Sequence, residues 1–363
     1  MAHTFKVLPR ATISANAWDA FVQESPEAWL FHTALWQAAS GPTGGDRSFG
    51  LVNEGGDLRA VIAMQSQRIP QLPQVPFQRL YNYRSGLARA SGMDEAEKAE
   101  LDAAAVRAIR HIGRRSGALL VNWELPTMAP GPDVPSTPVL THFGFEIRSV
   151  TAKVVDLTQA EDALWKDYRK GCKSTVKKAQ REGVRVSCAE TMSEVETFSA
   201  LHAETMRSVG GRQFPPGYLA RLWNTLSPAG RCEVLLAKLP SGLPVAGIMT
   251  MSCKGTAYYH SAGSAQAHRD SGGNTLLVHE AILRARARGD KTFHLGPTPS
   301  REQTDEKTYL VGRFKNQFGG FEIPWRTASL LLWPGLAGAR TVARKLRQLA
   351  TSPGRGDALQ PQQ

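Results

Sequence analysis

The order of strand and helix patterns between residues 152 and 325 is the feature that most limits how this chain can fold. Two apolar runs, EVLLAKL and VAGIMTMSC, flank a short turn containing glycine and proline and predict a β-hairpin. A third predicted strand, TAYYHSAG, is followed by a pair of glycines, a helix from about Asn274 to Arg288, and the strand KTFHLGP. Strands that alternate with helices in this way are typical of an α/β domain built on a mixed sheet.

The first section of the chain repeats that order of helix, hairpin, strand, helix and strand. Helices are predicted to begin near Ser14 and Thr33, and SFGLVNE and LRAVIAMQSQRI are predicted to form a hairpin. A helix over residues 94–116 then precedes the strand ALLVNWEL. Identity between the two sections is slight, so the repeat is one of pattern. We predict an α/β protein with two related domains, each a mixed β-sheet flanked by helices. The domains span residues 1–150 and 151–326, and residues 327–363 form a basic segment and a disordered tail.

The sequence was searched for membrane-spanning and secretory segments, which bear on where the protein is located. No segment approaches the roughly 20 apolar residues that span a bilayer, and the opening MAHTFKVLPRATIS lacks the apolar core of a secretory signal. We therefore expect a cytoplasmic protein. The segment LLLWPGLAGARTVARKLRQ could rest on the inner face of the membrane, with its arginines at the headgroups, or could be a simple packing helix.

The four cysteines are far apart in the sequence. They are Cys172, Cys188, Cys232 and Cys253, and neither they nor the scattered histidines have the spacing of metal ligands. We expect no disulfide, no metal site and no resident cofactor. No serine or cysteine has an evident partner base. If the chain transfers an acyl group, we therefore predict that the acceptor attacks the acyl carbon directly, without a covalent enzyme intermediate.

Positive charge is concentrated near the start of the second domain. The chain carries a net charge of +12, and the run from residue 166 to residue 185 holds eight lysines and arginines against two acidic residues. A basic helix of this density could follow the phosphates of an RNA backbone through Lys170, Lys173, Lys177 and Lys178. The alternative is a solvated helix face with no such partner.

A glycine turn in HRDSGGNTLLVHEAI could bind an anion. Gly272 and Gly273 precede a predicted helix, whose first N–H groups carry partial positive charge. Arg269, Gly272 and Asn274 occupy the positions of the acyl-coenzyme A signature Q/R-x-x-G-x-G/A, with asparagine in place of the last small residue. The alternative is a glycine turn that caps the helix through Ser271 or Asn274.

A lysine flanked by aromatic residues is the best candidate for chemistry. In VGRFKNQFGG, Lys315 lies between Phe314 and Phe318. A lysine held in this way can stabilise the oxyanion of a tetrahedral acyl-transfer intermediate. It can equally be a solvated charge beside a core residue.

Several motifs together resemble the Fem peptidyltransferase family. They are LWKDYRKGCKSTVKKAQREGVRV, YYHSAGS, the GGNTLLVHEAI helix, the F-x-L-G strand and RFKNQFGG, in that order through the second domain. The resemblance implies a tandem GNAT fold and transfer of an aminoacyl group from aminoacyl-tRNA to an amine. The acceptor in the family is usually a peptidoglycan precursor, and close relatives act on small molecules.

The resemblance also implies roles for individual residues. The family's Phe-Lys pair falls on Phe314 and Lys315, and Lys315 is similar to the lysine thought to stabilise the oxyanion. Acceptor phosphate would be bound by Arg212 and Tyr218, and the tyrosine of the central strand is Tyr258 or Tyr259. His294 also falls among the expected substrate-binding residues. The general base stays open among His260, His294 and Asp305.

The first domain departs from the family pattern. No lysine occurs between Lys6 and Lys98, although the family often has one there for the acceptor's diphosphate. Arg47 or Arg84 could replace it, so both a peptidoglycan precursor and a small-molecule amine stay open as acceptors. Two further readings are an acyl-coenzyme A-dependent N-acyltransferase and a non-catalytic, membrane-associated interaction protein.

Overall fold

The computed structural model describes residues 3–41, 45–69, 78–126, 128, 137–211 and 213–333. Within these ranges the chain divides into two compact units. Unit 1 comprises the described residues up to 149 together with residues 324–333, and unit 2 comprises residues 150–323.

Unit 1 contains two sheets. Its strands are β1 (Lys6–Pro9), β2 (Gly45–Asp46), β3 (Phe49–Val52), β4 (Leu58–Ile62), β5 (Gln65–Arg68), β6 (Gln78–Tyr81), β7 (Ala88–Arg89) and β8 (Ala118–Pro126). Its helices are α1 (Ala15–Glu24), α2 (Ala34–Ser40), α3 (Glu95–Arg115) and α4 (Thr137–His142). One sheet is antiparallel in the order β1-β3-β4-β7; in the other, β8 runs parallel to β6 and antiparallel to residues 325–331 of the strand Phe321–Leu331.

Side-chain caps fix the predicted helix starts in unit 1. Ser14, Thr33 and Asp94 accept hydrogen bonds from the N–H groups of Ala17, Trp36 and Glu97, respectively. The helix starts read from the sequence are therefore confirmed.

The hairpin prediction in unit 1 needs one correction. LRAVIAMQSQRI is not a single strand, because β4 pairs with β3 whereas β5 pairs with β2 and β6 in the other sheet. The chain changes sheets at Ala63 and Met64, whose carbonyl oxygens accept bonds from Ser85 and Arg47 instead of a ladder partner. The step from apolar LRAVI to polar QSQR does not by itself indicate a change of sheet.

Unit 2 is one six-stranded sheet with helices on both faces. Its strands are β9 (Glu146–Asp156), β10 (Arg185–Cys188), β11 (Cys232–Lys238), β12 (Pro244–Cys253), β13 (Thr256–Ser264) and β14 (Thr292–Pro297). Its helices are α5 (Glu161–Asp167), α6 (Lys170–Arg181), α7 (Met192–Val209), α8 (Tyr218–Leu226), α9 (Gly273–Ala287) and α10 (Glu306–Lys315). The order is β10-β11-β12-β13-β14-β9, and β13 with β14 is the parallel pair. The predicted fold class, mixed sheets flanked by helices, is confirmed.

Alternation along the strands explains the two covered faces of this sheet. Leu236 lies on the face covered by α7, where it neighbours Gly247 and Phe198. Leu235 and Ala237 point the opposite way, into the core shared with α6 and α9. Within the described ranges, every helix is too short or too polar to span a bilayer.

The contact between α7 and β13 requires a glycine. A Cβ on Gly263 would lie on the backbone of His202 in α7, which cannot yield as a side chain would. Gly263→Ala is therefore expected to lower the free energy of unfolding by about 3 kcal/mol, the upper end of ordinary overpacking costs.

Gly171→Ala is the matched control for that substitution. Gly171 lies in α6 with no heavy atom within 4 Å of the position a Cβ would take. Alanine there should stabilise the helix by about 0.5–1 kcal/mol. Equal denaturant midpoints for the two variants would contradict the close packing of α7 on β13.

Candidate active site

Strands β13 and β14 separate in the middle of the unit 2 sheet. They pair in parallel only from Thr256 with Thr292 to Tyr258 with His294. Just beyond that point each strand has a β-bulge. His260 is the extra residue where β13 pairs with β12, and Leu295 is the extra residue where β14 pairs with β9. Bulges bend strands and re-aim side chains, and they are common beside active sites. We call the opening between the strands beyond the Tyr258–His294 pair the strand fork.

Helix α10 brings Lys315 to the strand fork. The helix begins at the cap Asp305, which accepts bonds from the N–H and the hydroxyl of Thr308. Gly312 lets the helix backbone approach the Thr298 backbone, where a Cβ would lie 3.1 Å from its Cα. Lys315 is the last helical residue, and its Nζ lies 3.5 Å from the Pro297 carbonyl oxygen. The side chain is only 8% exposed, so its charge acts in a largely water-excluded place.

Tyrosines meet Lys315 at the strand fork. Its Nζ lies 5.4 Å from the ring centroid of Tyr259. A Cβ on Gly296 would be 3.1 Å from Nζ and 3.8 Å from the hydroxyl oxygen of Tyr258. Gly296 has a φ of +86°, which also favours glycine. The absence of a side chain at position 296 therefore lets Lys315 and Tyr258 lie close to the backbone there.

The turn after Lys315 is tied to the start of α6. Asp167 accepts a bond of 2.5 Å from the Gly320 N–H, and the Arg169 N–H donates to the Gln317 carbonyl at 3.0 Å. Phe314 packs edge-on against Phe318 at 5.4 Å between centroids. Phe314 therefore helps to anchor the turn rather than facing the strand fork with Lys315.

The three candidates for the general base differ sharply in their surroundings. The Nδ1 atom of His294 accepts a bond from the Gly296 N–H at 3.0 Å, which puts the ring proton on Nε2. Asp305 caps the far end of the ten-residue helix α10, roughly 15 Å from Lys315 at 1.5 Å per residue. His260 lies in the β13 bulge, two residues beyond Tyr258.

His260 belongs to a stack of rings. Phe214 stacks on His260 at 5.8 Å, on His202 at 4.8 Å and on Tyr218 at 4.9 Å between centroids. Tyr218 is almost fully buried in this stack, and Arg221 lies over its ring. Arg212, the other residue predicted to bind acceptor phosphate, lies outside the described residues.

The glycine turn before α9 is closely packed. Gly272, at φ +71°, lies against Thr175 and Ala179 of α6, where a Cβ would come within 3.2 Å of both. The Gly273 N–H donates to the Ser271 hydroxyl at 3.2 Å, but the N-cap of α9 is Gly272, so the helix lacks the side-chain cap considered from the sequence. Arg269 is exposed and Asn274 is half-buried. Close helix packing accounts for the small residue at position 272.

The lysines of α6 lie on its outer side. Cys172, Val176 and Ala179 form the buried face, and burial raises the pKa of the Cys172 thiol to about 12. The lysines surround that face: Lys173 donates to the Lys166 carbonyl, Lys178 donates to the Asp270 carbonyl, Lys177 lies 5.9 Å from the Trp165 ring, and Lys170 is exposed.

Sequence reasoning missed Asp167, Phe214 and His202. Asp167 is the acidic exception within a basic run, which was the only signal for it. Nothing in the local sequence indicates that Phe214 and His202 stack, since they come from a loop and from α7.

In unit 1, Arg84 has an unusual setting. It adopts a φ of +50°, lies 3.5 Å from Glu124, and contacts the rings of Tyr83 and Trp325. Arg47, the other candidate for an anion contact, donates to the Asp46 carbonyl at 3.1 Å.

Comparison with known proteins identifies the class of this fold. The family model described as an acetyltransferase (GNAT) domain matches residues 166–308, which confirms the predicted GNAT-like domain. Among solved structures, FemX superposes with a TM-score of 0.70 at 16% identity, covering 92% of this chain and 99% of FemX. The tandem GNAT protein from the clavulanic acid biosynthesis pathway superposes with a TM-score of 0.55 at 13% identity, covering 91% of this chain and 98% of that protein. The chain has the fold of these tandem GNAT proteins.

One relative is similar in sequence to part of the chain. The Lipid II:glycine glycyltransferase of Staphylococcus haemolyticus (strain JCSC1435) is 31% identical over 87 residues, 24% of this chain. The match spans about a fifth of that relative's length, 21%. Over that segment the chain is similar in sequence to this glycyltransferase, and the superposition shows that it shares the fold of FemX.

The histidine stack predicts a pH dependence of stability. Burial lowers the pKa of His202 to about 4, below the roughly 6.5 of an exposed histidine. Between those values the unfolded chain binds a proton that the folded chain does not, so stability falls as pH drops from about 6.5 to about 4. The expected loss is about 3 kcal/mol. Urea midpoints measured across this range should fall less steeply for His202→Gln than for the wild type. His111→Gln, at an exposed position, is the control and should keep the wild-type slope.

Proposed function

We propose that this chain is a Fem-like aminoacyltransferase that moves an aminoacyl group from aminoacyl-tRNA to an acceptor amine. The observation that carries the proposal is the buried Lys315 ammonium at the strand fork, lying beside the backbone of Gly296. A fixed positive charge is what the oxyanion of an acyl-transfer intermediate needs.

The chemistry follows from that arrangement. The acceptor nitrogen attacks the acyl carbon, and the carbonyl oxygen becomes negative as the tetrahedral intermediate forms. The Lys315 ammonium donates a charge-assisted hydrogen bond to that oxygen. The Tyr258 hydroxyl also lies near Gly296 and can donate a second bond. Holding donor and acceptor together at the strand fork supplies much of the remaining rate.

The basic face of α6 supports a tRNA donor. Lys170 and Lys177 are exposed on it, and Arg169 at its start is tied to the turn that follows Lys315. Phosphates bound along α6 would thus lie beside the element that positions the catalytic lysine. A coenzyme A thioester is the second candidate donor, because α9 follows β13 after a 3-10 helix, Gln266–Ser271, and presents a helix N-terminus there. The close packing of Gly272 weighs against a phosphate-binding role for that glycine.

A peptidoglycan precursor is the proposed acceptor, with a small-molecule amine as the second candidate. The similarity to a protein named Lipid II:glycine glycyltransferase supports the first. Such an enzyme would work in the cytoplasm, at the inner face of the membrane when its acceptor is lipid-linked. Most of the basic C-terminal segment expected to contact the membrane, from residue 334 onward, lies outside the described residues.

Lys315→Met tests the oxyanion role. Removing the ammonium while keeping the stem should lower kcat by about 10²–10³-fold, with KM changed little. Lys307→Met, at an exposed position on the same helix, is the matched control and should keep wild-type turnover. Transfer of a labelled aminoacyl group from tRNA is the measurement.

The same transfer assay identifies which donor and which acceptor the protein uses. Wild-type protein is incubated with labelled aminoacyl-tRNA or labelled acetyl-coenzyme A, and with lipid-linked or soluble amine acceptors. Consumption of the thioester alone would replace the proposal by an N-acyltransferase. Transfer from neither donor would favour a non-catalytic interaction protein, and full activity of Lys315→Met would remove Lys315 from the mechanism.

Replacing Lys170 and Lys177 by alanine tests the proposed tRNA contact. Each lost phosphate contact should reduce the slope of log Kd against log salt by about 1 and weaken binding most at low salt. Lys291→Ala, at an exposed position after α9, is the control and should bind as the wild type does. Unchanged binding by the double variant would mean that this helix face is merely solvated.

A further inference from the structure

We propose that His294 is a positioning residue of the strand fork, whose imidazole holds the β14 bulge and the Tyr258 ring where they meet Lys315. The inference rests on the proposed function, because it concerns how the lysine of that same site is held. It is carried by a hydrogen bond and a ring contact of His294, neither of which the oxyanion role of Lys315 requires. In this role His294 neither contacts substrate nor transfers a proton, unlike the roles that the sequence suggested for it.

The first contact of His294 holds the bulge of β14. Leu295 is the extra residue where β14 pairs with β9, and the pairing resumes at Gly296. The Nδ1 atom of His294 accepts a hydrogen bond from the Gly296 N–H at 3.0 Å, so the ring spans the bulge. Gly296 is buried, and a buried backbone N–H needs a partner. The imidazole supplies that partner from within the same strand.

The second contact of His294 holds the Tyr258 ring. The two residues form the last parallel pair of β13 and β14. Their rings meet edge to face, with 5.8 Å between centroids and 61° between planes. His294 is 1% exposed and Tyr258 is 2% exposed, so the pair is packed in the interior. Aromatic pairs prefer this geometry, and the contact therefore limits the directions in which the Tyr258 hydroxyl can point.

Both contacts of His294 lead to Lys315. A Cβ on Gly296 would lie 3.1 Å from Lys315 Nζ and 3.8 Å from the Tyr258 hydroxyl oxygen, so both groups lie close to the Gly296 backbone. The same Nζ lies 3.5 Å from the carbonyl oxygen of Pro297, the next residue of β14. A shift of the bulge would therefore move the backbone against which the ammonium lies. His294 thus acts on the ammonium through Gly296 and Tyr258.

The role needs a hydrogen-bond acceptor at the position of Nδ1. A backbone N–H can only donate, so the bond from Gly296 requires the lone pair on Nδ1 of His294. Asparagine can provide a similar acceptor, because its Oδ1 can take the place of Nδ1. Leucine has nearly the same shape as asparagine but no polar atom. The two substitutions therefore separate the acceptor from the volume of the side chain.

The test compares His294→Leu with His294→Asn in the transfer of a labelled aminoacyl group from tRNA. Loss of the acceptor in His294→Leu should lower kcat by about 10²-fold, the effect of a misplacement of about 1 Å, with KM changed less than about threefold. His294→Asn should keep kcat within about fivefold of the wild type, because the Gly296 N–H retains an acceptor. His111→Leu, at an exposed position in unit 1, is the control and should keep wild-type turnover.

A second measurement does not depend on the reaction. The rate at which acetic anhydride labels each lysine is followed by mass spectrometry in the same proteins. Lys315 is 8% exposed, and it should be labelled about tenfold faster in His294→Leu, because loss of the bond lets the bulge open. His294→Asn should keep the wild-type rate. The exposed Lys291 is the internal reference and should react equally in all of them.

The outcomes separate this inference from the proposed function. Wild-type kcat and wild-type labelling of Lys315 in His294→Leu would overturn the inference and leave aminoacyl transfer intact. Equal losses in the leucine and asparagine variants would also overturn it, because the acceptor would then not be what matters. If the wild-type protein transfers no aminoacyl group, the proposed function fails, and the labelling rates alone decide whether His294 holds Lys315. If His294→Leu does not fold, His294→Gln replaces it, since its amide takes the place of Nε2 rather than Nδ1.

Discussion

The site of this protein depends on how far β13 and β14 stay paired. Three residue pairs join them, and then a bulge in each strand ends the ladder. A longer ladder would close the sheet and leave no room for a substrate within it. Because the strands part after Tyr258 and His294, the groups that follow along them face an opening instead of a neighbouring strand.

Helix α10 and the turn after it hold Lys315 at that opening. Gly312 allows the helix to lie close to Thr298, and Asp167 holds the Gly320 N–H on the other side of Lys315. The lysine is thus fixed from both directions along the chain, which limits the cost of ordering a long flexible side chain at the moment of reaction. Burial then makes its charge more effective, since less water screens it.

Much of the fold could be predicted because helix caps and hairpins depend on residues that are close together in the chain. Ser14, Thr33 and Asp94 cap helices where the sequence indicated, and the hairpin of β11 and β12 pairs along its length. The split of LRAVIAMQSQRI between two sheets could not be read, because the change from apolar LRAVI to polar QSQR does not show which strands each part pairs with. The motif drew attention to Lys315, whose catalytic role stays a prediction, whereas Asp167 and Phe214 make contacts with residues distant in sequence. Likewise, Gly272 matches an anion-binding signature, whereas the contacts that explain it come from α6.

The most direct measurement is a crystal structure with a phosphonate that mimics the tetrahedral intermediate between an aminoacyl ester and an amine. The account predicts the phosphonate at the strand fork, with one oxygen about 3 Å from Lys315 Nζ, a hydrogen-bond distance. A mimic bound in full at another place, with Lys315 still on the Pro297 carbonyl, would contradict it.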